Sequence, residues 1–490
     1  MIWKRAGLPV VLALLSAGGC ALSARDFDPP VAAPQQLVPA GGAEMLERWW
    51  VSLQDDSLSA VIEAGLSGNF DLRTAWDRLA QARAIARRAG ADLQPQLDAE
   101  AGATWTDERI DGADMERERY ALGLGASYEV DLWGRIRSAR DAAAIDAMAA
   151  AEDVAAAAIT LSASIAAGWY DLAEAAARVR VLEAQIRTND QVLDVIEVRF
   201  RQARSRAEDV LRQRNLVESS RGELILAQRD IQVALHQLAA LTGLPPGAFA
   251  SGEHPALIGV PPLPDAGLPA EILRRRPDVR SAYRAVQAAD RRTAEAIADR
   301  YPRVSLSASA DTTGEWRDLF DNWAATLAGN LVQPLMDGGR RKAEVERVLA
   351  VTSESINRYG EVVVAALREV ADALERERRQ AEYVVSLSKQ LDTSSLVIER
   401  IRDSYINGQT DYLSVLDALT SRQSLEVRHV RARRDWIGFR IDFCRAIAGA
   451  WSLERPGPAT FNVATTALSP DRVDEPAGAT ATVPGSHLDE

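Results

Sequence analysis

The residues best suited to metal binding or covalent catalysis are few and scattered in this chain of 490 residues. The two cysteines, Cys20 and Cys444, lie too far apart for a metal motif or a disulfide framework. The histidines follow no metalloprotease-type spacing, and there is no phosphate-binding loop or nucleophile elbow. The histidines are His236, His254, His429 and His487. The sequence therefore predicts a protein that is not an enzyme and has no metal or cofactor.

One cysteine, Cys20, stands where a different covalent chemistry is expected, the attachment of lipid. Two basic residues precede a short apolar run at 6–15, and small residues then lead up to the cysteine. This order is typical of a secretory signal peptide, and the run is too short to span a bilayer. The cysteine resembles that of a bacterial lipobox, although Ala17 occupies the position where leucine is commonest. We predict a signal peptide at 1–19 and a lipidated extension at 20–56, with an ordinary signal peptide as the alternative.

Charge and hydropathy narrow the class of protein further. The formal net charge is −13, which argues against a nucleic-acid-binding protein because such proteins carry a basic stripe. Hydrophobic residues make up 47% of the chain, enough for a large core. No segment after the signal peptide is apolar for the roughly 20 residues that a transmembrane helix needs. Ala21 follows the cysteine, and by resemblance to lipoprotein sorting rules this residue favours the outer membrane.

The chain contains two similar halves. Several landmarks recur in the same order, two of them 207 positions apart, and such regular self-similarity indicates duplication. The matched landmarks are Asp71 and Asp278, Pro95 and Pro302, and Leu132 and Leu335. We predict repeat 1 at 57–243 and repeat 2 at 268–452. Between them, 244–267 is rich in proline and glycine and reads as a linker, and 453–490 reads as a flexible tail.

Each repeat is predicted to have the order helix, two strands, very long helix, shorter helix. The long segments contain no proline, and apolar residues recur at spacings of three and four, as in Ile165, Trp169 and Leu172. The predicted strands are at about 96–107 and 119–132 in repeat 1 and about 303–312 and 323–335 in repeat 2. The predicted long helices are at about 134–202 and 206–242 in repeat 1 and about 338–406 and 411–451 in repeat 2.

The predicted strands alternate strictly between apolar and polar or small residues. In the second strand Tyr120, Leu122 and Leu124 alternate with small residues. Such alternation is typical of strands with one face toward lipid and the other toward a polar lumen, although a soluble sheet on a core alternates in the same way. Four strands are too few to close a barrel, and open edges are not tolerated in hydrocarbon. Lipid-embedded strands would therefore require several copies; three would supply twelve strands.

Four strings of residues resemble the TolC/OprM-like outer-membrane factors, and in particular their NodT-like lipoprotein branch. The strings are Trp49–Trp50, Tyr128–Arg135, Arg275–Val279 and Gln333–Arg340. The resemblance implies a membrane α+β fold, a homotrimer with a twelve-stranded barrel in outer-membrane lipid and a coiled α-helical tunnel in the periplasm. It also implies a channel that opens when a periplasmic adaptor docks, and an inner-membrane pump, of the proton-driven RND type, as the source of energy.

The resemblance also assigns roles near the turn that follows the second long helix. In the family this turn contains a glycine, here Gly408, and the following helix narrows the tunnel. Leu413 and Asp417 match the apolar and acidic rings of the periplasmic gate, and Asp411 lies beside them. Three leucines on one axis would block the tunnel by dewetting, and three aspartates would favour cations. From the residues alone, a solvated helix charge is the favoured interpretation of Asp417.

The equivalent turn of repeat 1 departs from this pattern. Ala203 stands where glycine is usual, so a turn with positive φ would be strained. Four arginines surround it, and we expect Arg204 and Arg206 to engage acidic groups on the adaptor or across the closed tip; a solvated basic turn is the alternative. The arginines are Arg199, Arg201, Arg204 and Arg206. At the strand-to-helix turns the corresponding residues of interest are Trp133, Gly134, Gly338 and Gly339.

Two other functions fit parts of the sequence. The same architecture serves as the outer-membrane duct of type I protein or peptide secretion. A periplasmic, lipid-anchored coiled-coil scaffold would also contain long helices, but it would not require the two interleaved repeats. The absence of a methionine or histidine cluster weakly disfavours a metal-specific system. We therefore predict a passive exit duct for efflux.

Overall fold

The computed structural model describes residue 27 and the ranges 30–31, 47–110, 113–249, 254–264 and 268–455. The predicted signal peptide, the lipid anchor Cys20 and nearly all of the predicted tail lie outside these residues. Within the described ranges, no helix combines the length and the hydropathy needed to cross a membrane.

The elements follow the same order in both halves. The first half has a short 3-10 helix (Trp49–Leu53), helices α1 (Asp56–Gly68) and α2 (Phe70–Ala91), strands β1 (Gln96–Ile110) and β2 (Ala113–Val130), and helices α3 (Arg135–Arg201) and α4 (Ala207–Leu241). The second half has helices α5 (Pro269–Arg275) and α6 (Pro277–Ala298), strands β3 (Arg303–Gly314) and β4 (Trp323–Val332), and helices α7 (Arg340–Ile406) and α8 (Tyr412–Ile447).

The helices before and after the strands have the same lengths in the two halves. Helices α2 and α6 each contain 22 residues and begin 207 positions apart, whereas α3 and α7 each contain 67 residues and begin 205 positions apart. Gly134 and Gly339 precede the long helices, and both have positive φ. The position in the second half that is equivalent to Leu132 is therefore Asp337. The sequence-based match of Leu132 to Leu335 is wrong by two positions, because the strand-containing segment is two residues shorter in the second half.

Several elements end at positions other than those predicted. Strands β1 and β2 continue to Ile110 and Ala113 as a paired hairpin, well beyond the predicted apolar segments. The added residues are largely charged. They were not predicted as strand because they lack hydrophobic alternation, although their backbones are paired. Strand β4 ends at Val332 rather than 335, and α8 ends at Ile447 rather than 451 because Ala448 has an extended backbone.

The four strands form one antiparallel sheet in the order β1-β2-β3-β4. The later part of β2 pairs with β3, from Tyr120 opposite Gly314 to Val130 opposite Val304. The two halves are thus joined through backbone hydrogen bonds in the middle of the sheet. Strands β1 and β4 are its edges.

One face of this sheet is apolar on all four strands. Leu124 of β2 lies opposite Ala99 of β1 and Ala310 of β3, and Leu327 of β4 lies opposite Ala308 of β3. These apolar side chains are not covered by the chain itself, since Leu124 is 53% exposed and Leu327 is 84% exposed. The predicted separation of the strands into an apolar and a polar face is confirmed by this register.

The main hydrophobic core lies around the middle of α3. Helices α1, α2, α4 and the end of α8 pack there, together with the N-terminal segment. Trp49 and Trp50 are fully buried; the Trp49 indole donates a hydrogen bond to Ser162 Oγ (3.0 Å), and Trp50 packs edge-on against Trp451. The core therefore holds the two halves together, and the distal ends of the long helices lie outside it.

Candidate functional site

The distal turns between α3 and α4 and between α7 and α8 share one backbone conformation. In each, the second residue past the helix cap donates to a carbonyl five residues back: Arg204 N to Arg199 O and Gln409 N to Ser404 O, both 2.8 Å. This is a Schellman motif, which requires a left-handed residue after the cap. That residue is Gly408 (φ 73°) in the second turn and Ala203 (φ 55°) in the first. The expectation that Ala203 occupies a strained position is confirmed.

The helices that leave the two turns begin differently. Asp411 caps α8, because its Oδ1 accepts hydrogen bonds from Ser414 N (3.1 Å) and Ser414 Oγ (2.9 Å). These hydrogen bonds, with a smaller contribution from the Arg206 cation, lower the pKa of the Asp411 carboxyl. At the equivalent position of α4, Arg206 provides no capping acceptor; its own N–H donates to Asp209 Oδ2 (3.1 Å). The predicted gate residue Asp411 is thus a helix cap.

The two predicted ring residues lie on one face of α8. Leu413 and Asp417 are separated by one helical turn, and both are exposed in the single chain, Leu413 by 42%. The opposite face of the helix is buried through Tyr412 and Leu419. The structure therefore brings the predicted apolar and acidic residues together on a surface that the chain leaves open.

The four arginines of the first turn have different surroundings. The Arg199 guanidinium lies over the Tyr405 ring, 4.6 Å from its centroid, and so joins the two turns. Arg206 contacts Glu208 (3.3 Å), with its side chain 82% exposed. Arg201 and Arg204 are exposed. Arg204 and Arg206 thus remain accessible at the outermost point of the turn, whereas Arg199 has a structural contact.

A buried polar network behind the tips was not predicted. The Tyr412 hydroxyl donates to Gln213 Oε1, Gln213 Nε2 donates to Asn189 O (2.7 Å), and Gln423 Nε2 donates to Asn189 Oδ1 (2.7 Å). All four side chains are buried, and burial raises the pKa of Tyr412 so that it remains a neutral donor. The network links α3, α4 and α8. The sequence pattern that could have predicted this network is the recurrence of polar residues on otherwise apolar helix faces, in particular Asn189.

The strand-to-helix turns also contact across the two halves. The Trp133 indole stacks on Tyr301 (centroids 5.0 Å apart) and donates to Pro302 O (2.8 Å). Gly134 (φ 77°) then starts α3. In the second half Gly338 and Gly339 both have positive φ (63° and 84°) and precede α7. Sequence analysis singled out these turns, but it missed Tyr301 as the partner of Trp133.

The arginine of the Arg275–Val279 string is a packing residue. Arg276 is buried, and its guanidinium donates to Ala446 O (2.7 Å), Glu369 Oε2 (2.7 Å) and Asp278 Oδ2 (2.7 Å). It therefore joins the start of α6 to α7 and α8. Elsewhere in the described part of the chain, no group of three or more His, Cys, Asp or Glu residues could hold a metal ion.

Comparison with known proteins shows similarity along almost the whole chain. The family model described as "Outer membrane efflux protein" matches residues 61–244 and 268–441. The pyoverdine export outer membrane protein OpmQ of Pseudomonas aeruginosa is 29% identical over 474 residues, covering 92% of this chain and 98% of the relative. The cation efflux system protein CusC of Escherichia coli is 26% identical over 465 residues, covering 91% and 98%.

The fold is also similar to a solved structure. The outer-membrane channel OprN superposes with a TM-score of 0.80 at 26% sequence identity, covering 88% of this chain and 99% of that one. The match to the family model consists of two segments, which correspond to the two halves described above. The gap between these segments falls in the part of the chain rich in proline and glycine.

Proposed function

Because this chain belongs to the outer membrane efflux protein family, we propose that three copies of it form the exit duct of a tripartite efflux system. The chain itself is an outer-membrane efflux channel protein. The proposal concerns its assembly, its gate and its partners.

The observation that carries the proposal is the exposed apolar face of a sheet with two open edges. Side chains such as Leu97 (72% exposed), Trp323 (73%) and Leu327 (84%) lie on strands that no other part of the described chain covers. In lipid such a face is stable, but unpaired edges are not, because each unsatisfied backbone group costs several kcal/mol. Closure by pairing β4 of one copy with β1 of the next satisfies both requirements. Three copies then give a barrel of twelve antiparallel strands.

Below the barrel, the long helices would form the wall of a periplasmic tunnel. A helix of 67 residues spans about 100 Å at 1.5 Å per residue, far more than a compact domain requires. Within the proposed trimer, the exposed face of α8 brings Leu413 and Asp417 of each copy toward the axis at the distal end. Three leucines there close the tunnel by dewetting, and three aspartates select for cations when it opens.

The distal turns would be the docking surface for a periplasmic adaptor. The exposed guanidinium groups of Arg204 and Arg206 offer charge-assisted hydrogen bonds to acidic groups of such a partner. We further propose that the adaptor links the channel to an inner-membrane pump of the RND type, which supplies the energy. Gly408 gives the second turn the conformational freedom that opening requires.

The exported substrate would pass without chemical change. The relatives OpmQ and CusC are named for pyoverdine export and cation efflux, respectively. Substrate choice in the proposed system therefore belongs to the pump and the adaptor, and the channel supplies the route.

Detergent extraction of the outer-membrane fraction followed by native mass measurement tests the assembly. We expect a trimer that requires detergent, and a lipid-dependent mass increase that the variant Cys20→Ser lacks. A monomer released without detergent would contradict the barrel, and the apolar face would then have to pack against another protein.

A further inference from the structure

All four connections between a strand and a helix lie at the same end of the sheet. Strands β1 and β3 begin there and β2 and β4 end there, since the register places Val130 opposite Val304 and Arg303 opposite Val332. We call this end the sheet base. It consists of residues 92–95, 131–134, 299–302 and 333–339, together with the helix ends that adjoin them.

The sheet base is basic, whereas the whole chain has a formal net charge of −13. The segments 83–95, 131–141, 291–303 and 333–347 contain 14 Arg or Lys residues and eight Asp or Glu residues. An excess of cations at one level of an acidic protein indicates a partner of negative charge at that level.

Both long helices begin with basic residues at the sheet base. Helix α3 begins with Arg135 and has Arg137 two residues later, and the equivalent positions of α7 hold Arg340 and Lys342. Neither helix has an acidic residue in its first turn. Cations at a helix N-terminus oppose the helix dipole, so this arrangement does not stabilise the helices. Such a conflict between local preference and sequence is expected where the side chains serve a function.

The backbone amides of these two helix ends are already hydrogen-bonded. The Asp131 carboxylate accepts from Arg137 N (2.9 Å), and the Asp337 carboxylate accepts from Gly339 N (3.1 Å) and Arg341 N (3.3 Å). A partner of the sheet base must therefore be bound by side chains rather than by the helix ends themselves.

Four arginines of the sheet base are exposed and form no ion pair with any other residue that the structure describes. They are Arg87, Arg88, Arg300 and Arg340. Arg87 and Arg88 lie within about 6 Å of the end of α2 along its axis, at 1.5 Å per residue. Arg300 lies between α6 and β3, and Arg340 is the first residue of α7.

These arginines do not all follow the duplication. At the offset of 207 positions, Arg300 corresponds to Leu93, and Arg87 corresponds to Ala294. The two halves therefore share basic residues at one level of the molecule but at different positions in the repeat. A boundary that surrounds the whole molecule accounts for this pattern, because it requires charge at a level rather than at a position.

The cations adjoin the end of the exposed apolar face. Leu97 (72% exposed) and Leu331 (67% exposed) lie near the sheet base, and Trp133 stacks on Tyr301 within its connections. Trp and Tyr are frequent at the boundary between membrane and water. From the sheet toward the helices, apolar side chains are thus followed by aromatic rings and then by cations. A bilayer presents acyl chains, interface and headgroup phosphates in the same order.

From this order, we propose that the sheet base binds anionic phospholipid headgroups of the periplasmic leaflet through Arg87, Arg88, Arg300 and Arg340. The inference rests on the proposed channel assembly, which places the apolar face in lipid and the sheet base at the surface of that leaflet. Each guanidinium group offers several N–H donors to a phosphate, and the apolar stem of the side chain lies in the lipid interface. Basic residues within about a Debye length of an anionic leaflet are attracted to it.

Lipid titration of the full-length channel in a neutral detergent tests the headgroup preference. Phosphatidylglycerol should add to the native trimer at a several-fold lower concentration than phosphatidylcholine with the same acyl chains. The preference should decrease as the salt concentration rises, because the Debye length falls from about 10 Å at 0.1 M to about 3 Å at 1 M. Equal binding of the two lipids at low salt would overturn the proposal.

Charge removal at the sheet base tests the residues. Arg300→Gln with Arg340→Gln should weaken phosphatidylglycerol binding by up to about fivefold per residue and leave phosphatidylcholine binding unchanged. The matched control is Arg201→Gln with Arg204→Gln, which removes the same charge from exposed residues of the first distal turn. An equal loss in the control would show attraction to net charge alone and would overturn the lipid surface.

A second variant keeps the proposal testable if the first does not assemble. Arg87→Gln with Arg88→Gln changes only the end of α2 and should weaken phosphatidylglycerol binding in the same way. A native trimer without a headgroup preference overturns the lipid surface and leaves the proposed channel intact. A wild-type chain that is monomeric and needs no detergent would overturn both.

Discussion

The two distal turns have the same backbone but opposite side-chain chemistry. Both are Schellman turns, and equivalent positions lie 205 residues apart. The first turn has Arg206 where the second has Asp411, and the helix that follows has Arg212 where the second has Asp417. The duplicated backbone thus gives both tips the same shape, and the side chains give the two tips opposite charges at these positions.

The difference in side chains between the two turns affects the symmetry of the proposed trimer. Six turns of one shape would alternate between a basic type and an acidic type around the axis. Only the second type has a leucine, Leu413, on the exposed helix face, since the equivalent residue of the first is Glu208. A gate of threefold symmetry can therefore arise from a wall with nearly sixfold shape.

The largest effect is expected where the two tips are joined, at Tyr412. Tyr412→Ala removes a buried aromatic ring from the cluster with Ile196 and Val210, and it should destabilise the tip by about 3–5 kcal/mol. Amide hydrogen exchange in the first turns of α8 would measure this loss, and single-channel conductance would report an opened tunnel. Tyr412→Phe keeps the ring and should cost about 1–3 kcal/mol, because Gln213 Oε1 loses its donor. Equal exchange in wild type and Tyr412→Ala would show that the two tips are not coupled through this residue.

A reciprocal exchange at the turns tests whether their backbones are equivalent. Gly408→Ala should destabilise the second turn by about 1–2 kcal/mol through left-handed strain alone, since an added Cβ would meet no atom within 4 Å. Ala203→Gly should stabilise the first turn by a smaller amount, because glycine gains entropy in the unfolded chain. Exchange rates of the Gln409 and Arg204 amides measure the two effects. If both substitutions acted in the same direction, the two turns would not be under the same constraint.

Charge reversal at the first tip tests its proposed role in docking. Arg204→Glu should weaken binding of the proposed periplasmic adaptor by on the order of tenfold, through loss of a charge-assisted contact. Isothermal titration in detergent would measure the affinity at two salt concentrations. The matched control is Arg300→Glu, an exposed arginine at the other end of the helices. Unchanged adaptor affinity for Arg204→Glu would exclude docking through this residue.

The smallest effect is expected at the cap of α8, and it depends on pH. The pKa of Asp411 is lowered in the folded chain, so the ionised cap stabilises the helix above the ordinary aspartate pKa. This stabilisation is lost as the pH falls through the lowered pKa. Wild type should therefore protect the Ser414 amide better than Asp411→Asn at neutral pH, and the difference should disappear on acidification below the ordinary aspartate pKa. Asp417→Asn, which removes the same charge without a cap, should show no such difference.

Local sequence patterns predicted the elements and the shape of the turns. Alternation identified the strand faces because side chains of period two must divide between the two faces of a sheet, and Ala203 was recognised because few residues tolerate positive φ. The strand ends were missed because residues such as Glu108 and Glu116 pair through their backbones outside the apolar band. Contacts such as Tyr412 with Gln213 connect residues about 200 positions apart, and no local pattern encodes them.

The pairing of β2 with β3 imposes an order on biogenesis. Val130 pairs with Val304, which lies 174 positions later, so the middle of the sheet cannot form until Val304 has been synthesised. At a synthesis rate of about 5–20 residues per second, the end of the first hairpin would precede the start of β3 by roughly 9–35 s. Throughout this interval, β2 presents an unpaired edge and an apolar face to the periplasm, which is a template for aggregation. We therefore expect a newly exported chain to depend on periplasmic chaperones until its second hairpin arrives.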